Sequence, residues 1–170
     1  MVRRQFLAGA AAFAPLVAVA AAPTLRERLL GAWRIVDAET VNVKSGASRP
    51  WLGRPRPYTG LIVYLANGYM SVQIGAARPA PRDGLSFGEL SRDEMRAYAE
   101  TWYGYYGRFE VDEAESQVRH VLEGSLFGFE TGLTYVRHVR LDGDVLTLRT
   151  VDLQPGPDGD TFNRLVWHRA

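Results

Sequence analysis

The pattern that most constrains the fold is a series of short apolar, β-branched segments separated by turn residues. The clearest case runs from Gly60 to Ile74, where two such segments flank the dipeptide Asn67-Gly68. Asn-Gly readily adopts the positive φ angles that a two-residue type I′ turn requires. The sequence therefore predicts a β-hairpin here, closed by a type I′ turn.

Similar segments fill most of the remaining chain. Strands are predicted at 33–43, 107–111, 117–122, 134–141, 145–151 and 161–168. Seven or eight strands joined mainly by hairpins predict an all-β fold, an antiparallel up-and-down barrel of about eight strands. Closure removes the exposed sheet edges, and a barrel of this size has room inside for side chains or one small ligand.

One or two short helices are expected to cap this barrel. Thr24 can N-cap a helix over 25–30, and Ser91 with Glu94 forms a capping box. The second helix, 91–102, has apolar residues at helical spacing at Met95, Tyr98, Ala99 and Trp102. We expect this second helix to cover the open end.

Residues 1–22 have the pattern of a secretory signal peptide, which leaves 23–170 as one barrel domain. Arg3-Arg4 is followed by an Ala-rich apolar run, and Ala18-Val19-Ala20 offers a cleavage site. Arg3-Arg4-Gln5-Phe6-Leu7 resembles the twin-arginine export motif, although the general secretory route stays open. A retained membrane anchor is disfavoured because the run is short, rich in Ala and interrupted by Pro15. We therefore expect a periplasmic or secreted protein with no membrane span after signal removal.

Composition excludes several classes of function. The formal charge of +1 becomes −1 once Arg3 and Arg4 are removed, which argues against a nucleic-acid partner. The chain has no cysteine and only three histidines, none at metal-binding spacing, so no metal site is expected. Phosphate-binding, dinucleotide-binding and serine-hydrolase motifs are absent from the sequence. No cofactor is expected.

Several segments, in order along the chain, resemble the bacterial and fungal lipocalin-like domain family. They are Leu30-Gly-Ala-Trp-Arg34, Gly60-Leu-Ile-Val-Tyr64, Asn67-Gly-Tyr-Met-Ser71, Tyr106-Gly-Arg-Phe-Glu110, Val118-Arg-His120, Val136-Arg137, Leu141-Asp-Gly-Asp144 and Arg164-Leu-Val-Trp167. Gly31-Ala32-Trp33 is also similar to the Gly-x-Trp signature of lipocalins, whose stacked arginine would here be Arg169. The resemblance implies a calycin-type barrel but no particular reaction. The chain departs from the family pattern at His120-Val121 and at Phe129-Glu130.

Six polar residues are candidates for binding a ligand inside the barrel: Tyr64, Gln73, Tyr105, His120, Tyr135 and Arg137. An inward arginine would hold a carboxylate, enolate or phenolate, and a histidine could move a proton near neutral pH. His120, Tyr105 and Arg137 are the candidate catalytic residues.

Each candidate also has a structural interpretation. His120 could be a hydrogen-bonded core histidine on the face opposite Glu123, and Arg137 could pair with Glu110 or Glu123. The tyrosines of 102–106 could simply pack. Arg49, Arg54 and Arg56 could guide an anionic ligand or belong to a solvated proline-rich loop.

Three functions are compatible with these features. The first is an exported barrel that binds a small, mostly apolar molecule, with an anionic or phenolic group allowed. The second is a cofactor-independent isomerase, cyclase or lyase that uses His120 or Tyr105 for proton transfer and Arg137 to hold an oxyanion. The third is an envelope interaction protein with a filled core.

Overall fold

The computed structural model describes residues 21–78 and 86–170. The predicted signal peptide lies outside them except for its last two residues. The described residues contain nine strands: β1 Gly31–Asn42, β2 Ser48–Pro50, β3 Thr59–Tyr64, β4 Tyr69–Gly75, β5 Trp102–Asp112, β6 Gln117–Ser125, β7 Thr134–Asp142, β8 Val145–Thr150 and β9 Thr161–Arg169. The helices are α1 Leu25–Leu29 and α2 Arg92–Thr101, with short 3₁₀ turns at Trp51–Gly53, Phe87–Glu89 and Gly128–Glu130.

Eight of the strands form a closed antiparallel barrel, which confirms the predicted fold. From β3 to β9 each strand pairs with the next one along the chain. β1 closes the ring because its first residues pair with β3 while almost its whole length pairs with β9. β2 is a short addition that pairs with Glu39–Val41 of β1.

The hairpin between β3 and β4 is confirmed, but the predicted type I′ turn is wrong. The N–H of Leu65 donates to Tyr69 O, and the N–H of Gly68 donates to Leu65 O, both at 2.9 Å. Three residues therefore form the loop, and of these Gly68 has a positive φ of 89° while Asn67 does not have a positive φ. This arrangement needs one left-handed residue, which glycine supplies, instead of two.

One end of the barrel is closed by α1. Its N-cap Thr24 forms a capping box with Glu27, and Leu29 is buried. The Nε1–H of Trp33 donates to Leu29 O at 2.9 Å. The Arg169 guanidinium lies 4.0 Å from the centre of the Trp33 ring and donates to the carbonyls of Leu30 and Arg28. The expected Trp33–Arg169 stack therefore ties the last strand to the first helix.

A β-bulge in β6 changes which side chains point inward near the other end. Tyr106 is opposite Gly124 and Gly107 is opposite Leu122, so Glu123 is the extra residue. His120 and Leu122 are buried before the bulge, and the parity then shifts so that Ser125 follows them on the inner side.

The prediction that the second helix, α2, covers the open end of the barrel is wrong. The Ser91–Glu94 capping box is present, but no residue of α2 is buried and Met95 is 40% exposed. α2 lies beside the end of the barrel, with Thr101 O accepting from Ala76 N–H at 2.7 Å. The apolar positions of α2 do not enter the barrel interior: Met95 is exposed, and the Tyr98 ring lies 5.0 Å from the Arg78 guanidinium.

Candidate functional site

A cavity of about 310 Å³ occupies the open half of the barrel. Its walls are mainly apolar and include Ile62, Val72, Ile74, Leu148, Leu165 and Trp167. The mouth is narrowed by Trp51 and Leu52 from one 3₁₀ turn and by Phe127 beside another. This volume is at the lower end of the range found for small-molecule sites.

His120 lies at the inner end of the cavity, held between two tyrosines. Tyr64 Oη is 2.9 Å from Nε2 and Tyr105 Oη is 2.8 Å from Nδ1. Burial, reinforced by the charge of Arg137, lowers the pKa of His120 to about 3. The imidazole is therefore neutral at physiological pH, with one ring nitrogen donating and the other accepting.

The two tyrosines differ in their access to the cavity. Tyr105 lines it, whereas Tyr64 is 1% exposed, does not line it and packs edge-on against Phe109. Burial raises the pKa of Tyr105 to about 12, with Arg137 acting in the opposite direction. Burial also raises the pKa of Tyr64 well above its usual value. Both hydroxyls therefore keep their protons at neutral pH.

A second cluster of polar side chains surrounds Glu130, which is 9% exposed and lines the cavity. Its carboxylate accepts hydrogen bonds from Tyr103 Oη, at 3.2 and 3.1 Å, and from Ser125 Oγ. Burial raises the pKa of Tyr103 and of Tyr135, and Glu130 contributes to both increases. A carboxylate this deeply buried is stable only because hydroxyl donors surround it.

Arg137 brings a positive charge to the same cavity. It lines the wall beside Tyr135, with its guanidinium 4.9 Å from the centre of that ring, and Nη1 donates to Val136 O at 3.1 Å. The expected inward orientation of Tyr135 and Arg137 is confirmed. The alternative, an ion pair of Arg137 with Glu110 or Glu123, is not formed among the described residues, and Glu123 instead pairs with Arg108 at 3.4 Å.

The structure therefore places four of the six candidate ligand-binding residues, Tyr105, His120, Tyr135 and Arg137, on the cavity wall. Tyr64 does not line the cavity but forms a hydrogen bond with His120. Gln73 is misplaced in the prediction: it is exposed on the outside of β4, where its Oε1 accepts from the Trp102 Nε1–H at 3.1 Å. A one-residue difference along a strand decides the face, and Val72, not Gln73, points inward.

Two residues that line the cavity, Trp51 and Glu130, are not among the candidates predicted from the sequence. Trp51 lies in the segment rich in proline and arginine that the sequence predicts to be a loop, yet it is 4% exposed and packs edge-on against Tyr103. Glu130 follows the aromatic residues Phe127 and Phe129, and a single acid in such a segment was the available signal. Neither lies on a periodic element, so no face could be assigned to them.

The arginines of the 45–58 segment have different surroundings. Arg56 forms an ion pair with Asp37 at 2.7 Å, which lowers the pKa of Asp37. The Arg54 guanidinium lies 4.9 Å from the centre of the Trp51 ring, next to the cavity mouth, and its Nη1 is buried with no hydrogen-bond partner among the described residues. Arg49 is exposed. The segment is thus partly a packed rim of the mouth and partly solvated.

Within residues 21–78 and 86–170, no three histidine, aspartate or glutamate side chains lie together in a way that could hold a metal ion. The same residues contain no helix of the length and apolar character needed to cross a membrane.

Comparison with known proteins agrees with this architecture. No curated protein matches the chain in sequence. The family model of the lipocalin-like domain matches residues 30–170, which is the whole barrel from the end of α1 to the last residue. The chain belongs to the lipocalin-like domain family.

Proposed function

We propose that this protein is an exported barrel that binds a small, mostly apolar molecule inside the lipocalin-like domain. The observation that carries the proposal is the cavity of about 310 Å³, whose wall is mainly apolar but includes the polar groups of His120, Glu130 and Arg137. A filled core, the third function considered above, would not leave such a space. Export is proposed from the sequence of residues 1–22 alone.

The cavity favours an apolar ligand with a limited polar part. Burying an apolar molecule against leucine, isoleucine and tryptophan side chains gains the hydrophobic contribution, while a few polar groups determine its orientation. Trp167 adds one further donor, because its Nε1 is buried and has no hydrogen-bond partner among the described residues.

Binding of the neutral fluorescent probe N-phenyl-1-naphthylamine tests this proposal. We expect saturable binding of one probe per chain, seen as an increase in probe emission. Leu148→Trp should abolish it because Leu148 lines the cavity, and the matched Arg149→Trp should not because Arg149 is exposed on the same strand. Native mass spectrometry of protein purified from its own envelope would then identify any co-purifying molecule. Equal binding by both variants would contradict an interior site.

A second candidate function is a cofactor-independent isomerase, cyclase or lyase. It is favoured by the presence of Tyr105, Arg137 and Glu130 on one cavity wall, which offers a proton donor, a cation and a carboxylate. Of the two proton-transfer candidates, Tyr105 suits the role better, since both ring nitrogens of His120 are already hydrogen-bonded to tyrosines. Turnover that survives Tyr105→Phe and Arg137→Gln would exclude this mechanism.

A further inference from the structure

We propose that the Tyr64–His120 pair directs the hydroxyl hydrogen of Tyr105 into the cavity, so that the ligand is an apolar molecule carrying one hydrogen-bond-accepting oxygen. This inference rests on the proposed binding function and specifies the chemical class of the ligand. It follows from counting the hydrogens that the hydrogen-bonded side chains of Tyr64, His120 and Tyr105 can donate to one another.

The argument begins at Tyr64. Its hydroxyl has a single hydrogen-bond partner among the described residues, Nε2 of His120 at 2.9 Å, and its side chain is enclosed by protein. If His120 carried its hydrogen on Nε2 and donated to Tyr64, the Tyr64 hydroxyl hydrogen would be buried without an acceptor. A buried donor without a partner is costly, so Tyr64 donates and Nε2 accepts.

The protonation state of His120 then follows. A neutral imidazole has one N–H, and with Nε2 accepting, that hydrogen must be on Nδ1. Nδ1 lies 2.8 Å from Tyr105 Oη, so His120 donates to this oxygen. The Tyr105 hydroxyl therefore cannot donate to the histidine.

The hydrogen of Tyr105 is left for another acceptor. Tyr105 lines the cavity, and so does Arg137, whose positive charge lies close enough to affect the ionisation of Tyr105. A hydroxyl donor and a guanidinium on one wall match a carbonyl, carboxylate or phenolate oxygen. The carboxylate of Glu130, the acid buried in this cavity, accepts from Tyr103 and Ser125, and among the described residues no hydrogen bond joins it to Tyr105.

The tautomer of His120 can be measured directly. The chain has only three histidines, and His138 and His168 are exposed, so long-range proton–nitrogen NMR correlations of histidine-labelled protein should resolve all three. We expect His120 to carry its hydrogen on Nδ1 across the neutral range. We expect Tyr64→Phe to lose this preference, because the donor that fixes Nε2 as an acceptor is gone. A wild-type His120 protonated on Nε2 would overturn the proposal.

Ligand preference supplies the second test, using three matched probes: 2-acetylnaphthalene, 2-naphthoate and 2-ethylnaphthalene. The two probes with an accepting oxygen should bind more tightly than the hydrocarbon. Tyr105→Phe should weaken the preferred oxygen-bearing probe about tenfold, as expected for one hydrogen bond, and leave 2-ethylnaphthalene unchanged. Tyr106→Phe, on the next residue and 53% exposed, is the control and should bind like wild type.

The outcomes separate this inference from the function on which it rests. If none of the probes binds, the proposed binding function fails. If all three bind equally to wild type, or if Tyr105→Phe has no effect, the binding function stands and the assignment of Tyr105 as the donor is wrong. Tighter binding of 2-naphthoate than of 2-acetylnaphthalene identifies an anionic oxygen, and the reverse order identifies a neutral carbonyl. Either order supports the proposal.

Discussion

His120 illustrates how a single side chain can support the core and shape the site together. Its ring is fully enclosed, and both nitrogens are used by tyrosine hydroxyls that come from β3 and β5. Keeping the imidazole neutral is therefore part of what stabilises the folded chain, because a charged ring in this position would lack water and lie near Arg137.

This arrangement predicts a pH dependence of stability. Unfolded His120 binds a proton near pH 6.5, whereas folded His120 does so only near pH 3. Between these values unfolding takes up a proton, so lowering the pH reduces stability by about 1.4 kcal/mol per pH unit from this group. In urea unfolding, the advantage of wild type over His120→Gln should shrink by about 2 kcal/mol between pH 7.5 and pH 5.0.

The matched control for this measurement is His138→Gln, because His138 is exposed on the neighbouring strand. Its stability difference from wild type should stay nearly constant over the same pH range. A constant difference for His120→Gln as well would show that the folded protein accepts a proton on His120 without penalty, which contradicts the buried neutral state.

Arg169 offers a second prediction for a single residue. Its guanidinium stacks on Trp33 and donates to the carbonyls of Leu30 and Arg28, so it holds the final strand against the closed end. Arg169→Ala should lower the free energy of unfolding by about 2 kcal/mol, through the lost stacking and the unpaired carbonyls. Arg140→Ala, an exposed arginine elsewhere in the barrel, should change it by less than about 0.5 kcal/mol.

Among the elements, β3 and β4 depend most strongly on a glycine. Gly60 has a φ of 143°, and an added Cβ would meet the backbone carbonyl of Gln73 on the neighbouring strand. The backbones of Gly60 and Gln73 belong to the paired strands β3 and β4, so neither can move away from the added Cβ without disturbing the strand pairing. The glycine is needed for conformation and for space at once.

We therefore expect Gly60→Ala to destabilise the barrel by at least about 3 kcal/mol, or to prevent soluble expression. Gly128→Ala is the control, since a Cβ there meets nothing within 4 Å and its φ is not in the positive range. Thermal unfolding followed by circular dichroism would compare the two. Similar melting temperatures would mean that the β3–β4 pair can shift to accept a side chain.

The elements that could be predicted from the sequence are those with a strong local period. The hairpins, the N-cap Thr24 and the Ser91–Glu94 capping box follow from alternation and from short-range hydrogen bonding, whereas the inward face of β7 follows from the family resemblance at Arg137. The same period also places Gln73 on the outer face, because Met70, Val72 and Ile74 are the apolar positions of β4 and Gln73 alternates with them. Features without a local period depend on tertiary context.

The candidate site was less predictable than the fold for the same reason. Glu130 and Trp51 sit on short 3₁₀ turns, where no repeating pattern indicates a face. Ser125 faces Glu130 only because the bulge at Glu123 shifts the alternation of β6 by one residue. A bulge leaves little trace in a single sequence, and the polar wall beyond it could not be assembled from spacing alone.

At the scale of the whole molecule, the order of the strands makes closure a late event. β1 forms its longest pairing with β9, so the first strand of the barrel cannot complete its hydrogen bonds until the last strand has been synthesised. Without cysteine there is no disulfide to hold a partly folded chain together. The barrel can therefore be completed only when β9 is present. If the protein is exported, as we propose, the compartment in which it folds depends on the export route.

Closure by the last strand is compatible with export of an already folded protein, which is the route indicated by Arg3-Arg4. We predict that replacing both residues by lysine stops export and leaves folded, ligand-competent barrel in the cytoplasm, because the positive charge is kept and only receptor recognition is lost. Fractionation with probe binding in each fraction measures this. Arg92→Lys with Arg96→Lys, a matched pair on the exposed face of α2, should export normally. Unchanged export of the Arg3, Arg4 variant would instead indicate the general secretory route, and β1 would then meet β9 only after translocation.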